Sequence, residues 1–215
     1  GSGLDSGGAT VWPERVAGLV LLGTGSKLPV DPALPDRIVT EPDAALDWLA
    51  QQEGVDAERL GIVGFSMGGA VGSIIAGDDE RVDALVLWSA AGDLAGSQSD
   101  LYEEHYPTAR ELGTVEVDLG FRTVTLSKEY FESRFSHFPL HDITTYTGPL
   151  LIIHGADDET VPMETARQFV QHAGSNDVTL RIIPGSDHIF NVLTEDPTDS
   201  QQVLEITTSW LSEKL

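Results

Sequence analysis

Three short stretches of this chain hold residues whose types and spacing could do chemistry together. Ser66 sits in Gly64-Phe65-Ser66-Met67-Gly68, a G-x-S-x-G pattern; residues 154–158 read His-Gly-Ala-Asp-Asp; residues 184–188 read Pro-Gly-Ser-Asp-His. A serine hydroxyl is a poor nucleophile until a base takes its proton. The base works only if a carboxylate fixes its tautomer and stabilises the imidazolium that forms. Ser66, the Asp157/Asp158 pair and His188 supply those three groups in that chain order, and their joint chemistry would be acyl transfer through a covalent serine intermediate. In a chain with 22 glycines the G-x-S-x-G pattern alone is a weak signal, compatible with a Gly-rich turn that does no chemistry.

The elements that must position these groups are legible around them. Residues 60–65 (LGIVGF) form a short apolar run, which turns sharply at Ser66 and continues as a small-residue segment suited to a helix packed on a sheet. Gly68, Gly69 and Gly72 fall inside that helix, where each costs about 1 kcal/mol relative to Ala unless close packing requires it. Residues 16–22 (VAGLVLL), 82–89 (VDALVLWS), 150–154 (LLIIH) and 178–183 (VTLRII) are further apolar runs of the kind found in buried parallel strands. Between them, residues 42–52, a helix opened near Pro162 and running through Phe169, and residues 200–213 with Val203, Ile206 and Trp210 on one side show helical spacing. Strand, helix and strand alternate, so the expectation is an α/β fold with five parallel strands. In such sheets a site lies beyond the carboxyl ends of the strands, and Ser66, Asp157/Asp158 and His188 each follow a strand directly.

Residues 92–142 break the alternation. They carry seven of the 15 aromatic residues (Tyr102, Tyr106, Phe121, Tyr130, Phe131, Phe135 and Phe138), and residues 115–117 and 121–126 alternate like a hairpin. The segment reads as a lid inserted over a pocket, lined by Phe65, Phe131, Phe135 and Phe138; an accessory subdomain that only packs on the sheet is the alternative.

Composition narrows the function further. The 215 residues suit one core, so a single domain spanning 1–215 is expected. No cysteine is present, which excludes disulfides and thiolate nucleophiles. Asp and Glu number 35 against 12 Lys and Arg, a formal net charge of -23. That surface repels nucleic acid and anionic membranes. It resembles the composition of proteins from extreme halophiles, with a moderately acidic mesophile protein as the alternative. The glycines of residues 23–27 are not a P-loop, since Ser26 precedes Lys27 and Leu28 follows it, and no G-x-G-x-x-G follows a strand run. No His/Asp pair has metal-ligand spacing with a third ligand nearby, so neither metal nor cofactor is expected. No apolar run reaches the roughly 20 residues a membrane helix needs, and no signal pattern opens the chain, so a soluble, cytoplasmic protein is expected.

With these residues in view, the chain resembles the α/β-hydrolase family. GFSMGG looks like its nucleophile elbow, HGADDETVP like its HGxxDxxVP acid loop, and GSDHIF like its histidine loop. It is most similar to small single-domain serine carboxylesterases of the feruloyl and cinnamoyl esterase type, which carry a comparable insert. The resemblance implies a doubly covered, mainly parallel sheet, with Ser66 as nucleophile, His188 as base and Asp158 as the orienting acid, Asp157 being a turn residue. It also implies an oxyanion hole from the Met67 N–H and, in the loop after the first strand, the Thr24 N–H. His154 would be the structural histidine of the acid motif. The chain departs from the family near its start, where the N-terminal part is shortened and Leu22-Gly23 lacks the usual histidine. A partner subunit covering the sheet edge, as in a homodimer, is one expectation from that shortening. The implied function is cleavage of a small carboxylic ester, short-chain or aryl. Thioester or peptide cleavage by the same residues, or a binding module with the hydrolase fold and no turnover, are the alternatives.

Overall fold

All five apolar runs pair side by side in one sheet. A computed structural model describes residues 19–22, 44–94, 96, 99–118 and 123–215. In chain order the elements are β1 (Leu19–Leu22), α1 (Ala44–Ala50), β2 (Leu60–Phe65), α2 (Met67–Asp78), β3 (Val82–Trp88) and α3 (Ser99–Leu112). There follow β4 (Thr114–Asp118), β5 (Thr123–Ser127), α4 (Lys128–Ser133), α5 (Pro139–Asp142), β6 (Leu150–Gly155), α6 (Glu164–His172), β7 (Val178–Ile183) and α7 (Thr198–Lys214). The main sheet has the order β1-β2-β3-β6-β7 and every pairing in it is parallel. The carboxyl ends of β2, β6 and β7 therefore open on one edge, with β3 between the strand before Ser66 and the strand before Asp158.

Side chains alternate across the strands, and each face finds its own helices. Leu60, Ile62, Leu85, Leu87, Leu150 and Ile152 pack with Leu46 of α1, Ile75 of α2 and Phe169 of α6. Val63, Ala84, Val86, Leu151 and Ile153 pack on the opposite side with Val203, Trp210 and Leu211 of α7. Strand β6 is buried along its whole length, which explains why its sequence shows no polar alternation. Each fully buried Leu or Ile there contributes roughly 1.5–3 kcal/mol. Helices α1, α6 and α7 agree with their expected spans to within three residues, while α3, α4 and α5 of the insert had no expected span.

Between β3 and β6, which are neighbours in the sheet, the chain leaves the core for α3, the β4/β5 hairpin, α4 and α5. The hairpin is antiparallel, pairing Thr114 with Ser127 through Asp118 with Thr123. The insert has an aromatic centre. Phe131 is fully buried, with the rings of Tyr130, Tyr106 and Tyr102 at 5.3, 5.8 and 6.0 Å. Phe131, expected as pocket lining, is enclosed by these rings in this structure. Phe121 lies outside the described residues. The buried Arg134 ties the insert to the chain leaving β3, its Nε donating to the Leu94 carbonyl at 2.6 Å.

Candidate active site

Ser66 occupies the single residue between β2 and α2, with φ 54° and ψ -119°. A non-glycine residue there carries strain of roughly 1–3 kcal/mol, held by its surroundings. The Ser66 N–H donates to the Trp88 carbonyl (2.9 Å), and the Ser66 carbonyl accepts from the Ala91 N–H (3.1 Å), which pins the turn to the end of β3. The flanking glycines are required by close approach. A Cβ on Gly64 would stand 2.6 Å from the Gly69 Cα, and one on Gly69 would stand 3.0 Å from the Ala90 Cα. Met67 is the first residue of α2, so its N–H is among the first-turn donors with no intrahelical acceptor. Thr24, the expected second oxyanion donor, lies outside the described residues.

The acid loop turns immediately after β6. The Asp157 N–H donates to the Ser186 carbonyl at 2.9 Å, while the Asp157 side chain is exposed. Asp158 points inward with its side chain fully buried. Its Oδ1 accepts from the N–H groups of Thr160 (2.9 Å) and Val161 (2.8 Å), and its Oδ2 accepts from His188 Nδ1 at 2.8 Å. Of the two neighbouring carboxylates, Asp158 is the one that meets the histidine. His154 also reaches it, with Nε2 3.2 Å from the same Oδ2 and 2.9 Å from the Val161 carbonyl. Burial alone would raise the Asp158 pKa. Hydrogen bonds from His154, His188 and the Val161 N–H, with the charge of His188, outweigh burial and hold the carboxyl below the usual range.

His188 follows β7 on a loop braced by its neighbours. Asp187 Oδ1 accepts from the N–H groups of Ile189 (3.0 Å) and Asn191 (2.7 Å), and Asn191 Nδ2 donates to Asp199 Oδ2 (2.7 Å) at the start of α7. Phe190 and Asn191 both have positive φ, and Phe190 is buried edge-on against Trp88. This aims the His188 ring across the sheet edge, leaving Nε2 3.0 Å from Ser66 Oγ. Because Asp158 can only accept, His188 carries its proton on Nδ1 and presents Nε2 as an acceptor to the serine O–H. Residues 66, 158 and 188, far apart in the chain, thus form one connected hydrogen-bond path.

The expected pocket residues separate. The Phe65 ring stacks obliquely on His188, centroids 5.1 Å apart. Phe135 is half exposed and meets Tyr102 edge-on at 5.1 Å. Phe138, also half exposed, lines a cavity of about 510 Å³ with Leu94, Leu140, His141 and His172, and none of Ser66, Phe65 or His188 borders that cavity. Sequence reasoning missed the brace formed by Asp187 and Asn191 and the contact of His154 with the acid. The short interval between His154 and Asp158 was the only available signal for the second. Among the described residues no group of three or more His, Asp or Glu side chains converges as a metal ion would need.

Residues 33–215 match the prolyl oligopeptidase family, Peptidase_S9. The chain belongs to the prolyl oligopeptidase family. Its sequence is similar to a monoacylglycerol lipase of Mycolicibacterium smegmatis, 38% identical over 66 residues, covering 30% of this chain and 22% of the relative. It is also similar to a putative carboxymethylenebutenolidase of Yersinia pestis, 26% identical over 162 residues, covering 74% of this chain and 47% of the relative. The chain thus spans at most about half the length of these curated relatives. Among solved structures it is similar to Est1E of Butyrivibrio proteoclasticus, with TM-score 0.64 and 20% identity, over 94% of this chain and 87% of that one. It is similar also to the α/β hydrolase GrgF of Penicillium, with TM-score 0.68 and 16% identity, over 93% and 90% of the two chains. These likenesses give this member of the prolyl oligopeptidase family the α/β-hydrolase fold.

Proposed function

We propose that this chain is a serine hydrolase that cleaves carboxylic esters through an acyl-enzyme. The observation that carries the proposal is the placement of His188, with Nε2 3.0 Å from Ser66 Oγ and Nδ1 2.8 Å from Asp158 Oδ2. Ser66 Oγ attacks the ester carbonyl carbon while His188 Nε2 accepts the serine proton. Asp158, ionised across the neutral range, holds the tautomer and stabilises the imidazolium. The Met67 N–H faces the developing oxyanion, with Thr24 as its companion donor. His188 then returns its proton to the departing alkoxide as the C–O bond breaks. Water, deprotonated by the same nitrogen, releases the acid and restores Ser66. Phe65, packed on His188, forms the wall nearest the reacting carbon. The insert over residues 92–142 serves as the lid, with Phe135 and Phe138 as its exposed aromatic contacts.

Relatives whose names include a lipase, and the fold shared with Est1E, which has also been solved with ferulic acid bound, support an ester substrate of the short-chain or aryl class. The family name favours a second reading, cleavage of peptide bonds after proline by the same residues. The test is labelling of the native protein by a fluorophosphonate with mapping of the adduct, together with turnover of nitrophenyl esters and of a prolyl-nitroanilide peptide. An adduct on Ser66 with ester turnover is expected. Turnover of the anilide alone would move the substrate to peptides, and no adduct on Ser66 would remove the hydrolase reading.

A further inference from the structure

We propose that His154 is a positioning residue for the reaction: its ring, bonded through Nε2 to the Val161 carbonyl and 3.2 Å from Asp158 Oδ2, fixes the face the acid turns to His188. The inference rests on the serine hydrolase reading above. The His154 side chain is buried, and both groups near its Nε2 can only accept: the Val161 carbonyl at 2.9 Å and Asp158 Oδ2 at 3.2 Å. The proton of the ring therefore belongs on Nε2, bonded to the Val161 carbonyl with the carboxylate oxygen beside it. Its other nitrogen, Nδ1, is buried with no hydrogen-bond partner among the described residues. A side chain chosen for packing alone would not carry an unsatisfied nitrogen into the core, since an apolar ring or Leu would fill the space without it. What the imidazole adds over such a residue lies at Nε2. There it completes the shell of the carboxylate, whose Oδ1 is held by two backbone N–H groups and whose Oδ2 is shared by His188 and His154. The same Nε2 bonds the Val161 carbonyl, and the Val161 N–H bonds Asp158 Oδ1, so the ring closes the acid loop on itself. Hydrogen bonds to the charged form keep Asp158 a carboxylate despite its burial, and ionised it can stabilise the His188 imidazolium as Ser66 loses its proton.

The test uses two amides that differ in reach. In His154→Gln the amide sits where Nε2 was, whereas in His154→Asn it sits near Nδ1. Nitrophenyl ester kinetics should show kcat of the Gln variant within a few-fold of wild type. The Asn variant should lose on the order of 10- to 100-fold, the range for removing a hydrogen bond to a charged group, with KM little changed in both. Equal kcat for wild type and Asn, or an equal fall in Gln and Asn, would overturn the proposal and leave His154 a packing residue. A measurement on wild type alone stands beside this: nitrogen NMR of the labelled histidines should place the His154 proton on Nε2, and a proton on Nδ1 would overturn it as well. A wild type that neither hydrolyses esters nor takes up a fluorophosphonate defeats the hydrolase reading itself and this inference with it. An active wild type with an indifferent Asn variant defeats this inference alone.

Discussion

Replacing Asp158 by Asn tests the proposed mechanism at the point where the geometry is most constraining. An Asn keeps the shape, and its orientation is dictated by the loop. The N–H groups of Thr160 and Val161, at 2.9 and 2.8 Å, need an acceptor at the Oδ1 position, so the amide NH₂ must take the place of Oδ2. That NH₂ then faces His188 Nδ1, 2.8 Å from the original oxygen, and can be satisfied only if Nδ1 becomes an acceptor. The His188 proton moves to Nε2, where it points at Ser66 Oγ and can no longer receive the serine proton. In serine hydrolases such a tautomer error lowers kcat on the order of 10⁴, equivalent to roughly 5 kcal/mol of transition-state stabilisation at about 1.4 kcal/mol per decade. Asp157→Asn is the matched control, because that side chain is exposed and the His188 Nδ1–H goes to Asp158 instead. The assay is kcat on a short-chain nitrophenyl ester for wild type and both variants, with melting temperatures to show that each is folded. Near-complete loss for Asp158→Asn and near-wild-type turnover for Asp157→Asn are expected. If the Asp158 variant turns over at a rate comparable to wild type, the assignment of the acid and the tautomer reasoning both fail.

Because the Asp158 carboxyl is held below the usual range in the folded protein, its contribution to stability is present above about pH 4, its unfolded value, and is lost as pH falls below that. The stability gap between wild type and Asp158→Asn should therefore narrow between pH 6 and pH 3 in urea unfolding; a constant gap would count against the depressed carboxyl. Phe131→Ala should destabilise by about 3–5 kcal/mol, since the ring is fully enclosed, while Phe135→Ala and Phe138→Ala should each leave the melting temperature nearly unchanged. Similar melting shifts in all three would contradict the division of the insert into an enclosed core and open aromatics. With a net charge of -23, the melting temperature should rise from 0.1 to 3 M KCl as screening relieves self-repulsion, and a flat or falling trend would remove the halophile reading.

The sequence determined what depends on neighbours along the chain. The turn at Ser66 was legible because a strained residue between strand and helix needs glycines at fixed offsets, and Gly64 and Gly69 meet backbone or Ala90 with no room for a side chain. Strands β2 and β6 were legible because a strand buried on both faces reads as a continuous apolar run. The choice between Asp157 and Asp158 was open to the residues alone, since two adjacent carboxylates look alike until the loop after β6 turns one outward and one inward. The Phe131 ring could be read as pocket lining from its composition, and only the fold of the insert showed Tyr102, Tyr106 and Tyr130 closing around it. His154 and Asp158 lie close in sequence, yet the meeting of His188 with the same carboxylate oxygen depends on β7 lying beside β6 in one register, pairing His154 with Ile182. That register is a long-range pairing across the sheet that no local spacing carries.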